Sequence, residues 1–293
     1  MKHYGIPYMG SKEKILPLIE YVFTRERYKK YFIDPFCGGF SVSAYALENS
    51  HFKVLANDLN QYVISLYKEM LFNKSTEIKK VWFDWVSRDK FNDVRDNPSK
   101  YPDWYVGYVL TIWSFGNSQK SYMFGKDVEP IKKTAHEYLL ANGYKENQSK
   151  RTEFVKEFKA KELLARRFEL EQLQRLEQLQ RLQRLDCIDW YDFIKSIPKR
   201  VLSESFIYCD PPYENTAIYQ KNSMDYDKFW KWFRDCPYPV YTSSYSAPDG
   251  INVLNQVEKT SLLSSKNREK KLENIYFNGK GKPQETMLDM LYK

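Results

Sequence analysis

The chain has 293 residues, 42% of them hydrophobic and 29% charged, with 11 Gly and 13 Pro, which excludes a collagen or a wholly disordered chain and leaves room for about two domains. No apolar run approaches the roughly 18 residues a membrane span needs, and none follows Met1-Lys2-His3-Tyr4-Gly5, so a soluble cytoplasmic protein without a membrane or secretory segment is expected. The 46 Lys and Arg outnumber the 38 Asp and Glu by a net +8, and 17% of residues are aromatic, which makes a polyanion with stacked bases the first partner to consider.

Residues 1 to 70 read as α/β. Tyr31-Phe32-Ile33-Asp34 is a short apolar strand ending in an acid, followed by the loop Pro35-Phe36-Cys37-Gly38-Gly39. A helix over 41–47 follows, with Ser41 a plausible cap. Residues 52–58 form a second strand ending in Asp58, and a helix runs from Gln61 to Phe72. Strand, loop, helix and strand in this order predict a parallel sheet with crossover helices.

Residues 71 to 185 break that rhythm. Val81 to Trp85 and Trp104 to Trp113 are aromatic-rich and read as helical, and the Gly-punctuated stretch from Phe115 to Gly125 reads as a loop. From Gln119 to Arg167 there are 12 Lys and Arg against 7 Asp and Glu, so over half of the chain's excess charge lies here. Residues 168–185 form a low-complexity tract with Leu at 170, 173, 176, 179, 182 and 185. In a helix each step of three turns about 300°, so this row winds around the axis and is no heptad. A connecting helix or 3₁₀ stretch is expected.

From Asp186 strands return: Phe206 to Asp210, Val240 to Ser243, and the pair 252–258 and 272–277, placed antiparallel at the sheet edge, with a helix over 227–234. Cys37, Cys187, Cys209 and Cys236 form no C-x-x-C pair, and His3, His51 and His136 have no neighbours at ligand spacing, so reduced thiols and no metal are expected.

Three strands end in acids: Asp34, Asp58 and Asp210. Ligands of open α/β sheets bind beyond the carboxyl ends of the strands. A cluster of acids there needs donors such as ribose hydroxyls or an amine. Asp210-Pro211-Pro212-Tyr213 is the sharpest signal, because two prolines stiffen the backbone that aims the carboxylate and the ring.

The sequence resembles the Dam-type DNA adenine methyltransferases, which use S-adenosylmethionine. Pieces that match in the family's order are Tyr8-Met9-Gly10-Ser11-Lys12, Asp34-Pro35-Phe36-Cys37-Gly38-Gly39, Asn57-Asp58, Cys187 to Asp192, and Asp210 to Tyr213 with Thr216 and Tyr219 behind it. Tyr245-Ser246-Ala247-Pro248 resembles a later strand end. Phe40 stands where the commonest family loop has its second Gly, leaving Gly39 to serve, and Ser244 stands where many relatives carry an acid.

The resemblance implies a Rossmann-like, mostly parallel sheet with an antiparallel edge, built from residues 1–70 and 186–293. Residues 71–185 become an inserted, mainly helical, basic target-recognition domain. It implies methyl transfer from S-adenosylmethionine to N6 of an adenine flipped out of double-stranded DNA. Asp210, Pro211, Pro212 and Tyr213 are the implied catalytic residues, with Tyr213 as stacking face or wall of the cofactor pocket. Tyr8, Lys12, Asp34, Phe36, Gly38, Asp58, Asp189 and Asp210 are the implied cofactor residues, with Asp186 and Asp192 competing for the place of Asp189. Asn117, Gln119 and Lys120 suit bidentate pairing with base edges. A bacterial or phage enzyme, orphan or in a restriction-modification setting, monomeric or a weak dimer, completes the expectation. Cytosine-N4, RNA or protein amide methylation, and a non-catalytic nucleic-acid-binding role, stand as the alternatives.

Overall fold

The computed structural model describes residues 4–6, 8, 10–73, 81, 84–141, 179–212, 224–260 and 270–281. In chain order these hold α1 (Leu16–Arg25), β1 (Tyr31–Asp34), α2 (Ser41–Asn49), β2 (Lys53–Asn57), α3 (Gln61–Lys68), α4 (Arg88–Asp96), α5 (Asp103–Ile112) and α6 (Glu129–Ala141). Then follow β3 (Leu182–Asp186), α7 (Trp190–Ser196), α8 (Lys199–Ser203), β4 (Ser205–Cys209), α9 (Tyr226–Asp235), β5 (Val240–Ser244), β6 (Val253–Thr260) and β7 (Lys270–Phe277). The chain divides into two compact units, one of residues 12–59 and 177–293, the other of residues 1–11 and 60–176. The helical unit thus starts ahead of residue 71 and takes in α3, while β3 lies in the sheet unit.

The sheet is a Rossmann-like one with strand order β3-β2-β1-β4-β5-β7-β6. The first five strands are parallel, with Phe32 opposite both Val54 and Phe206, and Ile207 opposite Val240. Strand β7 runs antiparallel to β5 and β6 antiparallel to β7, as the edge pair was expected to. Strands covered on both faces read as continuous apolar runs, and β4 is buried at every residue. On one face Phe23 of α1 packs against Phe32, Phe52 and Phe206, with ring centroids 5.2, 5.4 and 5.7 Å away. On the other, Trp190 and Phe193 of α7 and Phe229 and Phe233 of α9 cover Ile33, Leu55 and Ile207. Each fully buried aliphatic or phenyl side chain contributes about 1.5–3 kcal/mol. The helices start on side-chain caps where the sequence supplies them: Asp225 accepts from the Lys228 N–H at 2.9 Å and Ser87 from that of Lys90 at 3.2 Å.

The end of the leucine tract is not helical beyond a single 3₁₀ turn at Leu179–Arg181; Leu182 opens β3. The register against β2 shifts between Val54 and Leu55, so Val54 faces Leu182, Leu55 faces Arg184 and Ala56 faces Leu185. One extra residue in β3 brings two leucines three apart onto one buried face, which a regular strand cannot do. Residues 168–178 of the tract lie outside the described residues.

In the helical unit, α5 crosses α3 so closely that a Cβ on Gly107 would sit 2.2 Å from the Tyr62 carbonyl oxygen. Only glycine fits there. Trp85, expected to be helical, lies in an irregular stretch and packs on Trp113, Phe124 and His136. No described helix is long and apolar enough to cross a membrane.

Candidate active site

Strand alternation decides which polar groups meet in the sheet unit. Phe32, Phe206, Tyr241 and Phe277 lie on the α1 side. Two-residue steps therefore bring Asp34, Asp210 and Ser243 to the same face near the carboxyl ends of β1, β4 and β5. Glu273, two residues before Ile275 on β7, joins them because Ile275 is paired with Ser243.

Lys12 closes this cluster. Its ammonium lies 2.8 Å from Asp210 Oδ1 and 2.9 Å from Glu273 Oε1. The Lys12 side chain is 3% exposed, that of Glu273 0% and that of Asp210 21%. Ser243 Oγ donates to the same Asp210 Oδ1 at 2.9 Å. The Lys12 backbone N–H donates to Ser41 Oγ at 3.2 Å, which fixes the start of the segment. Burial alone would push the Lys12 ammonium down; the charges of Asp210 and Glu273 overcome this and hold it above its ordinary value. Burial pushes Asp210 up, and Lys12 and Ser243 work against that push. Lys12 was expected to line the cofactor side; its head group bonds the Asp210 carboxylate. Nothing local in the sequence pointed to Glu273 as its second partner. The one available signal was an acid at the inward parity of an apolar strand, in step with Ile275 and Phe277.

Beyond Asp210 the chain turns at two prolines. Pro211 is buried, and its carbonyl accepts no hydrogen bond among the described residues. The Pro212 carbonyl accepts from the Tyr226 hydroxyl. The turn therefore has one carbonyl tied to α9 and one available beside Asp210. Tyr213, Thr216 and Tyr219 lie outside the described residues.

The loop after β1 is tied to β2. Cys37 N–H donates to the Asn57 carbonyl at 2.8 Å and Gly38 N–H to Asp58 Oδ2 at 2.9 Å. The Asn57 amide donates to the carbonyls of Pro35 and Ile188, and its oxygen accepts from the Ile188 N–H. Asn57 thus fastens the loops after β1 and β3 to each other. Positive φ occurs at Gly38 (42°) and Phe40 (61°), not at Gly39. The chain accommodates Phe at position 40 by burying the ring completely while it caps α2. Ser41 is the first helical residue rather than the cap. Asp34 is 2% exposed and accepts from Ser43 Oγ at 2.7 Å. Burial, opposed by Ser43 and reinforced by Asp210 and Asp58, pushes its carboxyl up to about 7. Phe36 packs between Trp190 and Phe229 at 5.9 and 6.2 Å.

Residues 187–192, one of the pieces that match in the family's order, follow β3 and lead into α7. Asp189 is exposed, and its Oδ1 caps α7 by accepting from the N–H groups of Tyr191 and Asp192 at 2.9 and 3.4 Å. Asp186 accepts from the Arg184 guanidinium.

The helical unit carries its own candidate surface. Residues 114–122 form a hairpin-like loop closed by a bridge between Ser114 and Tyr122. Gly116, Asn117 and Gln119 all take left-handed φ, 60°, 56° and 61°. Phe115, whose N–H donates to the Ser121 carbonyl at 2.8 Å next to that bridge, is 62% exposed, and Lys120 is exposed. The Gln119 amide, expected at a base edge, is held inside the unit: it donates to Thr111 Oγ1 and accepts from Asn60 Nδ2, each at 3.2 Å. Tyr8 is half-buried in this unit, its carbonyl accepting from the Ser11 N–H at 3.2 Å. No group of three or more His, Cys, Asp or Glu placed to hold a metal occurs among the described residues.

A sequence-family model described as D12 class N6 adenine-specific DNA methyltransferase matches residues 8–246. Among solved structures the chain is similar to the rRNA methyltransferase aviRa from Streptomyces viridochromogenes, at 10% identity and a TM-score of 0.36, over 94% of this chain and 87% of that one.

Proposed function

Because the chain belongs to the D12 class N6 adenine-specific DNA methyltransferases, we propose that Asp210 and the Pro211 carbonyl are the acceptors that hold the reacting adenine amine. The observation that carries this reading is the use of a single carboxylate oxygen. Lys12 and Ser243 both bind Asp210 Oδ1, which leaves Oδ2 and the neighbouring carbonyl for two N–H groups.

The amine is a poor nucleophile because its lone pair is conjugated into the ring. Accepting both of its hydrogens favours a tetrahedral nitrogen with the lone pair turned to the methyl. Orientation of this kind supplies much of the acceleration. The new N–C bond makes the nitrogen cationic, and its proton leaves through Asp210 Oδ2 to solvent.

S-adenosylmethionine suits the donor site by the chemistry of the groups present, and when bound it supplies a sulfonium methyl whose C–S electron pair stays on sulfur. Asp58, half-buried and oriented by Gly38, accepts ribose hydroxyls. Asp210 gives the rim the negative charge a cation requires. Phe36 and Asp189 shape the walls through Trp190 and the start of α7. Tyr213 offers the face on which a flipped base stacks. In the helical unit Asn117 and Lys120 meet base edges and Phe115 stacks on bases. Gln119 supports that loop, and the basic excess of residues 119–167 meets phosphates of double-stranded DNA. The protein acts in the cytoplasm of a bacterium or a phage-infected cell.

Long-read sequencing of DNA from a methylation-free host expressing the chain tests this reading. Wild type gives N6-methyladenine at one short motif and Asp210→Ala gives none. Methylated cytosine, unmodified DNA from wild type, or equal modification by the variant contradicts it.

A further inference from the structure

The Lys12 site holds one ammonium between two carboxylates. Burying a carboxylate costs several kcal/mol, which a partner must offset. Asp210 alone already balances the charge of Lys12. Glu273 adds a second, fully buried carboxylate, 2.9 Å from the same nitrogen. A reaction that brings a cationic donor and builds positive charge on an amine gains from a second carboxylate held there. The geometry adds a second reason. Tension from Glu273 on one side and Asp210 on the other gives Lys12 a defined position, and Lys12 with Ser243 fixes which oxygen of Asp210 faces inward.

We propose that Glu273 is a positioning residue for methyl transfer: it holds the far side of the Lys12 ammonium, so that Lys12 engages Asp210 only through Oδ1 and Oδ2 stays turned to the substrate amine. This rests on the reading of Asp210 as the amine acceptor. Facing the cluster are Tyr208, Ser243 and Tyr245, and Asp34 acts on Asp210 from β1.

Glu273→Gln keeps shape and removes charge. Single-turnover methylation of genomic DNA from a methylation-free host should slow roughly ten- to a hundredfold, as misplacement of a reacting group does. Melting temperature and calorimetric sinefungin affinity should change little. The acidic limb of the rate–pH profile should move to lower pH, because a negative charge beside Asp210 has gone. Lys12→Met should not add its full loss on top of Glu273→Gln, since both act through one ion chain. A wild-type rate and limb in Glu273→Gln overturns the proposal, as does a slower rate with an unmoved limb. If Glu273→Gln does not fold, ¹⁵N NMR of the wild-type lysines decides. A slowly exchanging Lys12 ammonium supports the chain of contacts, and a rapidly exchanging one overturns it. Wild type that leaves adenine unmethylated fails the underlying reading instead, and the NMR result still reports on Glu273.

Discussion

The two units handle polar groups in opposite ways. In the sheet unit the candidate acids are buried or half-buried and tied to neighbours: Asp34 to Ser43, Asp58 to Gly38, Asp210 to Lys12 and Ser243. In the helical unit the candidate reading groups ride on the 114–122 loop, which exposes Phe115 and Lys120 and follows Trp113 of an aromatic core. The difference suits the tasks proposed for the two units. Acceptors for a reacting amine gain strength from a dry, fixed setting. Groups that meet a duplex must start exposed, and their affinity comes from many weak, salt-sensitive contacts.

Substitutions can break this contrast, and the largest effect is expected in the sheet unit. Asp210→Ala should lower methyl transfer on the order of 10³-fold, as losing a preorganised group does, while duplex binding by fluorescence anisotropy stays within about twofold of wild type. Equal losses in both would erase the division of labour.

Asp34 tests burial directly. Its carboxyl sits at about 7 in the folded chain, above the ordinary 3.8, so the native state binds the proton more tightly than the unfolded one. Stability should therefore fall as pH rises from about 4 to about 7 and change no further above that. Asp34→Asn keeps an oxygen for Ser43 and removes the titration. Relative to wild type it should gain on the order of a few kcal/mol between pH 4 and 8 in urea melts. A gap that is constant with pH would show that Asp34 is solvated. Asp58→Ala should weaken sinefungin binding about ten- to a hundredfold by calorimetry, the loss of a charged hydrogen-bond partner; unchanged affinity would remove Asp58 from the donor site.

The smallest effect is expected in the helical unit. Lys120→Ala should weaken duplex binding less than about tenfold and relax discrimination at one base position, with the salt slope little changed. An effect as large as that of Asp210→Ala on transfer would contradict the contrast.

Much of the sheet unit was legible because its signals are local. Tyr31 to Asp34 and Phe206 to Asp210 are unbroken apolar runs ending in acids, and both are strands. Strand β3 was hidden because a bulge changes the rule that relates spacing to face. Leu182 and Leu185 look like a winding helical row and are instead two contacts on one face of a sheet. The role of Lys12 was half legible. Its motif was visible, but its partner Glu273 lies near the other end of the chain, and only the antiparallel return of β7 brings them together. Phe40 was legible as a departure, though not its consequence. Its backbone is left-handed all the same, and a buried ring replaces the freedom of glycine. The 114–122 loop was marked by Gly116, while the turn of the Gln119 amide toward Thr111 and Asn60 depends on packing that no local pattern encodes.

The most direct test of the central claim is a crystal structure with sinefungin and a duplex containing the target motif in unmethylated form. An extruded adenine whose amine lies within about 3 Å of both Asp210 Oδ2 and the Pro211 carbonyl, with Lys12 still on Oδ1, is the predicted result. An amine bound by other groups, or an Asp210 carboxylate turned so that Lys12 occupies both oxygens, would contradict it.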